Sequence, residues 1–195
     1  MAGTTRGRIP LTKDNMLETM SHAAQSLPSI PLQPMLNEFN EEAAVTRRVL
    51  DHVPADKLSW KPHAKSMTLG QLAMHIALVP GSIIFVTRED AFDISQINFA
   101  PPQPSSPDEI GAALDKTILD VTQALTSASD EVVTKHWRLM LGSNQILSRP
   151  RAEVWRSIML NHWYHHRGQL TVYLRLLDVP VPSVYGPSAD DNPFS

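Results

Sequence analysis

The sequence predicts an all-α protein, a four-helix bundle with a long connection between its second and third helices. Three observations lead there. The prolines leave long clear windows, apolar residues inside those windows recur at helical spacing, and helix-start signals stand at window edges. Prolines number 16 in 195 residues, above the usual ~5%. They leave 35–53, 63–79, 81–100, 108–149 and 151–179 clear. A proline within a helix removes a hydrogen bond and clashes with the preceding turn, so helices run between prolines.

In the first window Met35 or Leu36, Phe39, Ala43, Thr46 and Leu50 follow steps of three and four, with Glu38, Glu41, Glu42, Arg47 and Arg48 opposite. The second helix opens on a capping-box pattern, Thr68 followed by Gln71. Leu72, His75, Ile76 and Val79 then share one face, and Pro80-Gly81 is expected to kink or end the helix. Residues 90–106 read as a loop that ends in the proline-rich stretch 100–106. The third helix has Ser106 as N-cap, Pro107 at the first helical position and Asp108 and Glu109 in the first turn. Its stripe is Ile110, Leu114, Ile118, Val121 and Leu125. Residues 136–148 suit a short hairpin around Gly142-Ser143-Asn144. The fourth helix starts at Pro150 and runs to about Leu177, with Trp155, Met159, His162, His166, Leu170, Tyr173 and Leu177 on one stripe. Gly168 is read there as permitting close helix packing. The domain expectation is an N-terminal extension over 1–31, a bundle over 32–190 and a tail over 191–195.

Composition narrows the function. The chain has no cysteine, which removes thiolate nucleophiles, disulfides and Cys-ligated metal sites. Any metal must be held by nitrogen or oxygen. A net charge of −3 and a pI near 6.2 do not suit a nucleic-acid binder. No apolar segment approaches the ~20 residues of a membrane span. The first thirty residues lack the apolar core of a secretory signal. The expectation is a cytoplasmic protein that binds neither nucleic acid nor membrane.

The eight histidines carry the chemistry. His162 and His166 stand one turn apart on one helix face, close enough to converge on one ion. His75 lies on the buried face of the second helix. Buried imidazoles each need a partner, and one divalent ion would satisfy all three together. Three nitrogens plus water is the open sphere of a catalytic metal, whereas structural zinc closes its sphere with four protein ligands. The bland alternative is three core histidines paired with backbone or with each other. His165 is turned about 100° from His166 around the helix and is set aside. His63 lies in the loop before the second helix, at reach of a site mouth, and His22, His52 and His136 read as surface residues. Trp163 stands where a zinc peptidase's H-E-x-x-H motif has its general base, so peptidase chemistry is not expected. No nucleophile elbow, P-loop or dinucleotide fingerprint is present.

Thr68-Leu69-Gly70-Gln71-Leu72-Ala73-Met74-His75-Ile76 and His162-Trp163-Tyr164-His165-His166-Arg167-Gly168-Gln169-Leu170 resemble the second- and fourth-helix signatures of the DinB/YfiT-like metalloenzymes. Trp60-Lys61-Pro62-His63 and 181–190 resemble further parts of one branch. The likeness runs from about Met35 to Asp190. It implies an up-down-down-up bundle, often homodimeric, with a divalent ion on His75, His162 and His166. It also implies a thiol-dependent transferase, using a low-molecular-weight thiol, or a hydrolase, acting on a small molecule. The alternative is a non-catalytic metal- or ligand-binding protein of a stress response. Zinc is the favoured ion, with nickel, iron or manganese as alternatives. No residue is assigned as catalytic, and Trp163, where many relatives carry an acid, leaves the general base unassigned.

Overall fold

The computed structural model describes residues 32–97 and 100–194, so the expected extension 1–31, with His22 in it, lies outside the described residues. The chain is mostly helical with a small three-stranded sheet, which corrects the all-α expectation.

Helix α1 (Leu32–Leu50) buries Met35, Phe39, Ala43, Thr46, Val49 and Leu50, the stripe its spacing predicts. After a single 3-10 turn at Ala55–Lys57, α2 (Leu69–Val86) begins at Thr68 with both capping-box bonds in place. The Thr68 hydroxyl accepts from the Gln71 N–H, and the Gln71 side chain accepts from the Thr68 N–H, each at 3.1 Å. Helix α3 (Pro107–Ser127) starts on the Ser106 cap, whose hydroxyl accepts from the Glu109 N–H at 3.3 Å. Its buried stripe takes Thr117 in place of the expected Ile118. The short α4 (Asp130–Thr134) follows. The last helical stretch has three parts: α5 (Arg151–Val154), a π-helical turn (Trp155–Leu160) and α6 (Asn161–Leu176). Helix α1 packs on α3, α3 on α2, α2 on α6 and α6 on α1, and the core lies inside that ring. Each large apolar side chain fully buried there, Phe39, Leu72 and Leu170 among them, contributes about 2 kcal/mol.

Helix α2 passes through Pro80 without ending. Gly81 explains the neighbouring residue type: a Cβ there would sit 3.1 Å from the Thr117 hydroxyl of α3, so its absence lets the two helices approach closely. By length and composition α2 could cross a membrane, contrary to expectation. It is a core helix instead, with Leu69, Leu72, Ala73, Ile76 and Ala77 fully buried.

The sheet lies in the connections. Strands β2 (His136–Leu141) and β3 (Asn144–Pro150) pair antiparallel from His136↔Pro150 to Leu141↔Asn144, as the hairpin reading expects. Gly142 adopts φ +59 in the turn, a conformation open to glycine at no steric cost. Strand β1 (Ala91–Asp93) falls where only loop is expected and pairs parallel to β2, Ala91↔Arg138 to Asp93↔Met140. This small sheet plugs one end of α2. The Val86 carbonyl accepts from the Trp137 indole at 3.1 Å, and the Thr87 carbonyl from Arg151 Nε at 2.7 Å. The buried Thr87 hydroxyl accepts from the Trp155 indole at 2.9 Å. The first two of these bonds satisfy carbonyls that a helix end leaves unpaired.

Helix α6 ends as Asp178 turns to φ 56 and the Val179 N–H bonds the Leu174 carbonyl at 3.0 Å, a Schellman-type closure. The proline-rich stretch beyond it is a packed strap. Val181 and Ser183 are buried, the Asp190 carboxylate accepts from the Val181 N–H and from Arg175, and Asp191 accepts from the Ser183 N–H. Gly168 is exposed with nothing within 4 Å of its Cβ position, so it has no part in helix packing.

Candidate metal centre

Three imidazoles meet between α2 and α6. His75 comes from α2, beside the core residues Leu72 and Ile76 but turned to the flank, where it is half-buried. His162 and His166 come from α6 and are also half-buried. The Nε2 atoms of His75 and His162 are 3.4 Å apart, and those of His162 and His166 are 2.7 Å apart. One ligand atom from each of the three lies within 4.8 Å of the others. The 3.4 Å separation matches the edge of about 3.3 Å that a tetrahedral site with Zn–N bonds near 2.05 Å requires. The 2.7 Å pair is a hydrogen bond that an ion would replace.

The position of His162 and His166 depends on the π-helical turn. A plain α-helix would align both with Trp155 and Met159 in the core stripe, as the sequence reading expects. The wider turn over Trp155–Leu160 carries one residue more than an α-helical turn. Downstream, the fully buried line therefore runs through Trp163, Arg167, Leu170 and Leu174. The two histidines are displaced onto the adjoining flank, which faces α2. Tyr173, expected in the core, is half-buried.

Trp163 is thus a core residue, fully buried and stacked on Phe39 with ring centroids 5.2 Å apart. Position 163 therefore lies on the core line and not on the flank that carries the imidazoles. Among the described residues the converging group consists of the three histidines, with no carboxylate.

All three rings are held neutral, the form that ligates metal. Burial, followed by the charges of His166 and His162, lowers His75 to about 4. Burial is also the main cause of the lowered His162. It lowers His166 as well, against a hydrogen bond to Gln169 that raises it. In that bond His166 Nδ1–H donates to Gln169 Oε1 at 2.8 Å, which leaves Nε2 bare for a ligand role. The Gln169 amide nitrogen donates in turn to His165 Nε2 at 3.0 Å. His165 is exposed and outside the converging group, as the face assignment expects, yet it is linked to that group through Gln169. Spacing alone gave no sign of Gln169's part.

The remaining described histidines stand apart from the group. His63 is exposed and accepts from the Lys65 N–H at 3.1 Å. His52 bonds the Arg48 carbonyl of its own helix at 2.7 Å, and His136 meets the Ser148 hydroxyl at 3.1 Å.

A second polar cluster, missed in the sequence, lies where α6 meets α1 and the strap. Arg167, 1% exposed, pairs with Glu42 at 2.5 Å, donates to the Thr46 hydroxyl at 3.1 Å and bonds the Tyr185 hydroxyl of the strap. Its guanidinium lies over the rings of Tyr164 and Tyr185. The Tyr164 hydroxyl donates to Glu38 at 2.9 Å. Its members come from all three elements, so the cluster ties α1, α6 and the strap together.

A cleft of about 580 Å³ opens near the C-terminal ends of α2 and α3, lined by Arg88, Asp120, Glu131, Lys135 and Trp155 among others. None of the three histidines lines it. Among the described residues the group that could hold a metal ion lies elsewhere, at the imidazoles, so the cleft is not the candidate centre.

A model of the DinB family matches residues 20–192, starting inside the stretch 1–31 set apart as an extension. The uncharacterized protein YrdA of Bacillus subtilis is 26% identical over 161 residues, 82% of this chain and 91% of that protein. A crystal structure of a DinB-like protein from Bacillus cereus is similar with a TM-score of 0.61 at 26% identity, covering 77% of this chain and 95% of that one. The DinB-like protein YjoA from Bacillus subtilis gives a TM-score of 0.57 at 16% identity, covering 81% and 98%. At that identity the likeness is one of fold.

Proposed function

The chain belongs to the DinB family, and from that premise we propose that it is a metal-dependent enzyme holding one divalent ion on His75, His162 and His166. The observation that carries this reading is the convergence of three neutral, half-buried imidazoles with their nitrogens within 4.8 Å of one another. Zinc is the favoured ion, because neutral imidazole in an open site suits it, with nickel, iron or manganese as alternatives. When bound, such an ion supplies Lewis acidity and lowers the pKa of a coordinated water or thiol.

The chain's own residues supply the rest. His75 on α2 and His162 and His166 on α6 hold the site from two helices, and Gln169 fixes the tautomer of His166. Half-burial leaves one side open to a small molecule. With no cysteine in the chain, any thiol chemistry must use a low-molecular-weight thiol brought as a cofactor. The reaction class is accordingly a thiol-dependent transfer or a hydrolysis. A second reading, a non-catalytic metal- or ligand-binding protein of a stress response, is favoured by one observation: the group contains no carboxylate to act as base.

The same proposal includes an up-down-down-up order of the four long helices, a bundle domain over 32–190, a cytoplasmic location and a homodimer. Metal analysis of protein purified without a His-tag tests its centre. About one equivalent of zinc per chain is expected. A content near zero that persists after added zinc, nickel and manganese would end the metal reading. Turnover of thiol-conjugation, esterase and amidase panels with and without chelator separates enzyme from binder. Chelator-insensitive turnover counts against the mechanism.

A further inference from the structure

Pro80 lies inside α2 and has no N–H, so the carbonyl four residues before it, that of Ile76, receives no bond from residue 80 of its own helix. A buried carbonyl in that state costs free energy unless another donor reaches it. The donor is the indole of Trp163 on α6, at 2.9 Å from the Ile76 oxygen. Both residues are 0% exposed, and the indole is held in plane against Phe39 of α1, with an interplanar angle of 23°. Ile76 directly follows His75, and Trp163 directly follows His162. One hydrogen bond therefore joins the peptide beside one imidazole to the side chain beside another.

We infer that Pro80 and Trp163 act together as a positioning device for the three-histidine centre. The proline frees the acceptor, the indole takes it, and the bond sets the spacing of His75 against His162 and His166. Ordinary core packing would not need this arrangement, since an N–H at position 80 would satisfy the carbonyl within α2. Trp163 touches no ligand atom and is a positioning residue only. The inference rests on the reading of the three histidines as metal ligands.

The experiment compares Trp163→Phe, which keeps an aromatic ring but loses the N–H, with Pro80→Ala/Trp163→Phe, which returns a helical donor to Ile76. Zinc affinity is measured by competition with a chromophoric chelator, and the thermal midpoint is measured on the metal-free forms. Trp163→Phe should lower both the midpoint and the zinc affinity, the latter by about 10-fold or more. The double variant should recover the midpoint, because the carbonyl is satisfied again, while its zinc affinity stays low. If the double variant recovers affinity together with stability, Trp163 only satisfies a carbonyl and the positioning role is overturned. Parental affinity in Trp163→Phe overturns it equally, and if that variant does not fold, the double variant carries the test. Absence of zinc binding in the parent protein overturns the metal reading and this inference with it. Zinc on the parent and undiminished affinity in both variants overturns this inference alone.

Discussion

Acid should destabilise the metal-free protein over a window set by His75. Burial, then His166 and His162, lower this imidazole from 6.5 to about 4. Below 6.5 the unfolded chain binds a proton that the folded chain refuses until about pH 4. The contribution to stability is therefore fully present above 6.5 and is lost as pH falls toward 4. At about 1.4 kcal/mol per unit, the shift corresponds to about 3 kcal/mol. Solvent reaches the half-buried ring, and screening reduces that to about 1–2 kcal/mol. The lowered His162 and His166 act in the same direction. The assay is urea denaturation in chelator across this pH window, on the parent and on His75→Gln, whose amide does not titrate. The parent should lose stability more steeply than the variant. Parallel curves would refute the reasoning, because the cost of charging His75 would then be no greater in the folded protein than in the unfolded chain. Excess zinc binds the neutral rings of the folded form and should move the parent's loss to lower pH.

His162→Ala and His166→Ala should each weaken zinc binding by about 100-fold or more, whereas His165→Ala should cost about 10-fold at most, since its ring touches His166 and bonds Gln169 but lies outside the converging group. Equal losses in all three would contradict the face assignment. Gln169→Leu frees the His166 tautomer, and calorimetric titration should show affinity about 10–100-fold lower with the fold intact. Arg167→Met leaves Glu42 beside an apolar core and should cost about 3–5 kcal/mol in denaturant, much of it recovered by adding Glu42→Leu. No recovery in the pair would show that the two side chains are not energetically coupled.

The helices were legible because their signals are local. Thr68 with Gln71 and Ser106 with Pro107 act within one turn, and the stripe of α1 follows from spacing alone. His75, His162 and His166 could be grouped because spacing puts each on a face shared with apolar residues, although the structure turns all three to the adjoining flank. Strand β1 could not be read, because three residues gain strand geometry only by pairing with Arg138–Met140, far along the chain. The burial of Trp163 and Arg167 was hidden for a different reason. It follows from the wide turn at Trp155–Leu160, and that turn is set by packing at both ends of the helix. Pro80 looked like a break because its compensating donor, Trp163, belongs to another helix.

Deleting one residue from an ordinary helix rotates everything beyond it by about 100°. The turn over Trp155–Leu160 is an exception, since it already holds one residue in excess. Trp155, fixed at the end plug, and Trp163, fixed against Phe39, are eight positions apart, where two α-helical turns span about seven. Removing Ser157 would bring that interval to the α-helical value and leave both anchors, and the imidazoles between and beyond them, in phase. A Ser157 deletion should therefore retain stoichiometric zinc, and loss of the metal would show that the wide turn itself is needed. The plug and the centre are in this sense independently indexed parts of one rod. The wide turn is the joint that absorbs the surplus residue, so that each keeps its own angular setting.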